Sequence, residues 1–144
     1  MGIRRQAREC ALQMLYQLEL GGGAVDQVMS RYWENTDAPE AVRAFANELV
    51  AGVAGHRQAL DELISKHSAN WRLSRMAAVD RNILRIAAFE FNHRADIPIK
   101  VTINEAVEVA KRFGTSDSGA FVNGILDNMA KEVVAEKIDQ GDEK

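Results

Sequence analysis

Cysteine is nearly absent from this chain. Cys10 is its only one, which excludes an internal disulfide and any multi-cysteine metal site and fits a reducing compartment. Its place on an apolar face makes it a core residue. No apolar run approaches the ~20 residues that span a bilayer. The opening Met-Gly-Ile-Arg-Arg also lacks the apolar core and small-residue cleavage site of a secretory signal. A cytoplasmic protein with no membrane contact is expected. No segment alternates apolar and polar residues as a half-buried strand would, and no repeat of fixed period stands out. Enzyme signatures are missing as well: there is no nucleophile elbow, no Walker loop, no dinucleotide glycine fingerprint and no His-Glu-x-x-His. His56, His67 and His93 are too far apart in sequence to suggest a ligand cluster, so neither metal nor cofactor is expected. Asn104, Glu105 and Glu108 are explained by helix capping and a solvated face without invoking an acid pair.

What is present suits one globular domain. The chain has 144 residues, 47% hydrophobic and 27% charged, enough to enclose a real core. A net charge of −3 counts against nucleic-acid binding when taken alone. Its distribution changes that reading. Residues 72–112 carry Arg72, Arg75, Arg81, Arg85, Arg94, Lys100, Lys111 and Arg112 against Asp80, Glu90, Asp96, Glu105 and Glu108, a balance of +3. Residues 132–144 carry Glu132, Glu136, Asp139, Asp142 and Glu143 against Lys137 and Lys144, a balance of −3. The acidic tail conceals a basic interior segment.

Helical spacing runs through the chain. Ile3, Ala7, Cys10, Ala11, Met14, Leu15 and Leu18 share one face of a first helix. Arg4, Arg5 and Arg8 begin beside that stripe, and Leu12 and Tyr16 continue the flank. Such a strip suits single-stranded RNA, whose phosphates meet arginine and whose unstacked bases meet rings; an ordinary solvated helix start fits the same residues. Gly21, Gly22 and Gly23 form a turn, since no strand precedes them and no phosphate-loop lysine follows. Val25, Val28, Met29, Tyr32 and Trp33 predict a short second helix. Pro39 and Glu40 start the next, with the proline in a first turn where its missing N–H costs nothing. Gly52 and Gly55 bend or interrupt it before Leu60, Leu63 and Ile64, where Glu62 and Lys66 are placed to pair. The pattern lapses at Ala69 to Leu73, and Trp71 is expected to seal the joint there. Met76, Val79, Ile83, Leu84, Ala87 and Phe91 define a long helix, in which Arg81 and Arg85 have no acid four residues away. Thr102 and Glu105 read as a capping box starting a helix near Ile103, and Gly114 as its left-handed stop. The segment Thr115 to Ser118 caps a last helix carrying Phe121, Val122, Ile125, Leu126, Met129 and Val133, with a close backbone contact expected at Gly124. The predicted fold is all-α: a compact bundle of six to seven helices, in two small sub-bundles over about 1–70 and 71–134, with an acidic tail over 135–144 expected to fray.

Four blocks carry a resemblance: Arg-Arg-Gln-Ala-Arg-Glu-Cys-Ala-Leu-Gln-Met-Leu-Tyr from Arg4, Asp-Arg-Asn-Ile-Leu-Arg-Ile-Ala-Ala-Phe-Glu from Asp80, Ile-Pro-Ile-Lys-Val-Thr-Ile-Asn-Glu-Ala-Val-Glu-Val-Ala-Lys-Arg-Phe-Gly from Ile97, and Phe-Val-Asn-Gly-Ile-Leu-Asp from Phe121. In this order they closely resemble the transcription antitermination factor NusB family, over Arg4 to about Met129 and most weakly between Gly21 and Trp71. The resemblance implies two small helical bundles packed across each other. It implies a non-catalytic protein that pairs with ribosomal protein NusE and binds the single-stranded boxA element of nascent RNA. RNA polymerase, with other Nus factors, would thereby be kept elongating, notably on ribosomal RNA operons. Carried over by position, Arg4, Arg5, Arg8, Arg85 and Phe121 match RNA-facing residues, and Tyr16, Asp80 and Asp117 match the NusE surface. Two alternatives stand beside this. One is a self-associating helical module, since some family members form homodimers that cover the RNA face; the other is an accessory domain like those fused to RNA methyltransferases, although no methyl-donor loop is present.

Overall fold

The computed structural model describes residues 2–142, with side chains as far as Glu136. Its seven helices are α1 (Ile3–Gly21), α2 (Val25–Asn35), α3 (Glu40–Gly55), α4 (Arg57–Lys66), α5 (Ala78–His93), α6 (Ile99–Phe113) and α7 (Ser118–Asp142), with a single 3₁₀ turn at Leu73–Arg75 before α5. No strand occurs among the described residues. The fold is all-α, as the periodicity predicts. The frayed tail expected over 135–144 falls mostly outside the residues whose side chains are described.

Helix α5 is the hub. It buries Ile83, Leu84, Ile86, Ala87, Ala88, Phe89 and Phe91, residues that go all the way round the helix, as a helix enclosed by others requires. It packs against α1, α3, α4, α6 and α7. Around it, α1, α2 and α3 pack on one another, as do α6 and α7, and α4 touches both α3 and α7. One continuous core joins Ala7, Met14 and Leu49 through Leu84 to Val109, Leu126 and Met129. Cys10 lies within that core.

Glycines punctuate the chain for different reasons. Gly22 and Gly23 take φ of 70° and 98°, the left-handed region that makes them the natural exit from α1. Gly52 instead permits a close approach: a β-carbon there would lie 2.1 Å from Cε1 of Phe89.

The structure corrects several local readings. Helix α6 begins at Ile99, with Pro98 as its N-cap residue, so Thr102 lies inside the helix rather than ahead of it. Its hydroxyl donates to Glu90 and Glu105 accepts from Arg5, tertiary partners that replace the capping box. Gly114 has φ of −97° and is no left-handed stop; it leaves room for the Ser118 hydroxyl, which would lie 2.3 Å from an added β-carbon. A β-carbon added at Gly124 would meet nothing within 4 Å, so no close approach requires a glycine there. Lys66 reaches across to Glu132 on α7 instead of pairing with Glu62. Trp71 does not seal the joint, being 58% exposed.

Gly52→Ala should lose about 1–3 kcal/mol through overpacking against Phe89, measured by urea denaturation. Gly55→Ala, which meets nothing within 4 Å, is the control and should stay near wild type.

Candidate nucleic-acid and protein interface

The arginines of this protein fall into two groups, separated by what surrounds them. Arg8 sits on the flank of α1 next to its apolar stripe, and packing α1 onto α5 and α3 carries it inside, where it is 3% exposed. Its Nε and Nη2 donate to Glu90 at 2.8 and 2.7 Å. Glu90 also accepts from Thr102 Oγ1 at 3.0 Å. One carboxylate therefore ties α1, α5 and α6 together. Arg85 is buried to the same degree. Its Nε and Nη2 donate to Asp61 at 2.7 and 3.1 Å, and its Nη1 to Glu19 at 2.6 Å and Asn82 at 3.1 Å. Arg81 shares Glu19, donating through Nε and Nη2 at 3.0 and 2.7 Å, and its Nη1 donates to the Leu73 and Met76 carbonyls. The acids missing from α5 itself are thus supplied by α1 and α4. Arg81 first, then Arg85, hold the Glu19 carboxyl down to about 2 against its burial.

The other group is at the surface. Arg5 Nε donates to Glu105 at 2.6 Å, with the Arg5 side chain 38% exposed. Arg4 lies 3.4 Å from Asp96 in a pair open on both sides. Arg4 and Arg94, together with buried Arg8, stand over the Phe45 ring of α3 at 5.0–5.8 Å. Exposed pairs of this kind contribute little to stability and yield readily to a competing anion.

Of the residues expected to face RNA, Arg4, Arg5 and Arg8 come together at the start of α1. Only Arg4 and Arg5 present their charge to solvent. Arg8 and Arg85 lie inside the bundle: Arg8 donates to buried Glu90, and Arg85 to the partly buried Glu19 and Asp61, bonds that position helices. Phe121 is half-buried on α7, with Trp71 edge-on at 5.7 Å between ring centres. Of the residues expected to face a protein, Tyr16 is 42% exposed and Asp117 is exposed at the start of α7. Asp80 is 9% exposed, and its Oδ1 is buried without a hydrogen-bond partner among the described residues. Since Glu19 binds Arg81, Tyr16 and Asp80 flank the same junction of α1 and α5, whereas Asp117 stands apart at the α6–α7 connection. His56 and His93, distant in sequence, stack at 4.2 Å. No group of metal-ligating side chains occurs among the described residues, and no helix is long and apolar enough to cross a membrane. Trp71 is the residue that sequence reasoning misplaced. The signal was its position in a stretch without periodicity, where nothing obliges an aromatic to point inward.

The sequence model of the NusB family matches residues 5–131. The transcription antitermination protein NusB of Sorangium cellulosum is 50% identical over 133 residues, 92% of this chain and 95% of that protein. Among solved structures, T. maritima NusB matches with a TM-score of 0.81 at 40% identity, covering 90% of this chain and 91% of the other. A chain in a crystal structure of antitermination factors NusB and NusE in complex with dsRNA matches with a TM-score of 0.80 at 27% identity, covering 92% and 98%.

Two outcomes are expected from these geometries. Arg8→Met strands the Glu90 carboxylate and should cost about 3–5 kcal/mol, measured by urea denaturation. Much of that loss should return in the double variant Arg8→Met/Glu90→Leu, and equal losses with or without Glu90 would show the two to be uncoupled. For Glu19, the folded value lies below the ordinary carboxyl value of 4.5, so its stabilisation is complete above 4.5 and vanishes as pH falls toward about 2. Wild type should lose stability across that window, and Glu19→Gln should be weaker at neutral pH with a shallower acid dependence.

Proposed function

The chain belongs to the NusB family, and on that premise we propose that it is a transcription antitermination factor that binds RNA together with ribosomal protein NusE. It is not an enzyme. The observation that carries the reading is the likeness of nearly the whole helical body to a chain of the NusB–NusE–RNA complex. The site supports it in detail. Arg4 and Arg5 offer phosphate contacts at the start of α1, and Phe121 offers a ring to a base. Single-stranded boxA RNA of nascent transcripts, notably ribosomal RNA leaders, is the form such a surface suits, because a base must leave its stack to rest on an aromatic side chain. Tyr16 and Asp80 at the α1–α5 junction, with Asp117, face NusE. Tyr16 and Asp117 are exposed and open to a partner, and Asp80 lies at the α5 start with little of its surface in water. Arg8 and Arg85 hold α1, α4 and α5 in register beneath these surfaces. The setting is the cytoplasm, alongside RNA polymerase and other Nus factors.

Arg4 and Arg5 alone, in a chain of net charge −3, make weak contacts, and a partner adding its own raises affinity without a basic composition. Titration of labelled boxA RNA should therefore show tighter binding with NusE present and weaker binding with added salt. Arg5→Ala should make the log–log salt dependence shallower by about 0.7, the value for one phosphate contact on a single strand. An RNA affinity indifferent to NusE would overturn the heterodimer mechanism, and an unchanged slope would place the RNA elsewhere.

A further inference from the structure

Beside Phe121 lies a groove that the positions carried over from the family do not include. Its walls are the segment Lys66 to Trp71 after α4 and the α7 face formed by Phe121, Gly124, Ile125 and Asn128. Trp71 is a large aromatic side chain left mostly in water, held edge-on to Phe121 with an interplanar angle of 88°. An edge-on contact covers at most one face of the indole, and with 58% of Trp71 in water the other is open. Gly124 keeps the floor clear, because even a β-carbon would meet nothing within 4 Å. Asn70 and Asn128 bring carboxamides to the walls, groups that both donate to and accept from the edge of a base.

Charge around the groove is split. Lys66 and His67 are taken up by Glu132. Arg72 and Arg75 are exposed on the turn that follows Trp71, and neither forms an ion pair among the described residues; Lys131, one turn beyond Asn128 on α7, is also exposed and unpaired among them. An open aromatic face, adjacent amides and uncommitted cations together form the surface that single-stranded nucleic acid recognises. A protein partner would not need the cations to be free, and a lipid surface would not need the amides.

We propose that Trp71 is a second base-stacking residue, receiving an unstacked nucleobase of single-stranded RNA next to the base at Phe121, with Asn70 and Asn128 reading its edge and Arg72 and Arg75 meeting the flanking phosphates. This rests on the RNA-binding reading above and extends its site from α7 onto the α4–α5 connection. The two rings differ in role: Phe121 is anchored in the bundle, whereas Trp71 stands on a turn and presents its face outward.

The chain has two tryptophans, and W33F leaves Trp71 as its only one, excited selectively over tyrosine at the red edge and read against the emission of NusE alone. That variant, bound to NusE, is titrated with boxA RNA while anisotropy of a label on the RNA reports binding independently. Trp71 emission should be quenched in step with binding. W71A should raise Kd roughly tenfold, as expected for the loss of one stacked base, with an unchanged salt slope, and W71F should keep most of the affinity. Normal binding with flat Trp71 emission and unaltered W71A affinity overturns the proposal and leaves the RNA-binding reading intact. Weakened W71A binding with unquenched emission assigns the indole to the fold and overturns it as well. No RNA binding by the wild-type heterodimer overturns both readings.

Discussion

A guanidinium and a carboxylate removed from water together hold this bundle in one arrangement. Arg8 of α1 and Glu90 of α5 are both almost fully buried, and the same carboxylate accepts from Thr102 of α6. A buried pair of this kind adds little net stability, because desolvating two charges costs about as much as their attraction returns. Its effect is on specificity. Apolar faces can slide over one another at small cost, but a displacement that parts Arg8 from Glu90 leaves two uncompensated charges in a dry interior. Three helices are thereby fixed in register by one contact, and the surfaces they carry are fixed with them.

The same logic recurs outward from that pair. Glu19 of α1 gathers Arg81 and Arg85 of α5, and Arg85 passes on to Asp61 of α4. Arg112 of α6 reaches Glu9 of α1. Each bond crosses between helices, so the polar residues of α5 are as much a part of the packing as its leucines. This explains how α5 can be enclosed by five neighbours and still carry Arg81, Arg85 and Glu90.

The helices themselves were largely legible in the sequence, because an apolar face repeated at helical spacing is a local property, and α1, α5 and α7 each carry a long one. Long-range partners were not. Thr102 and Glu105 have the spacing of a capping box, but their actual partners are Glu90 and Arg5, and no local pattern records that. Arg85 is polar and lies off the apolar stripe, so periodicity puts it near solvent; only the arrival of Glu19 and Asp61 from other helices makes burial tolerable. Trp71 shows the converse, an aromatic assigned to the interior by type although its segment has no helical face to turn inward. Gly114 and Gly52 are alike in sequence terms, yet each is explained by the single side chain that approaches it, Ser118 in one case and Phe89 in the other. What sequence leaves open is which remote group meets which.

The division of the arginines has a consequence for binding. A phosphate can replace a carboxylate only where both remain hydrated, since the exchange then trades one screened contact for another. Arg4 with Asp96 and Arg5 with Glu105 meet that condition, and Arg8 and Arg85 do not. Net charge therefore describes this surface poorly: it counts arginines that are buried against carboxylates, and it sets exposed arginines and their acidic neighbours against each other although both stay hydrated. With few exchangeable cations, electrostatic affinity stays low and salt-sensitive. On the proposed reading, aromatic faces and a protein partner supply the remainder, which gives ring placement and the α1–α5 junction more weight than the balance of charge.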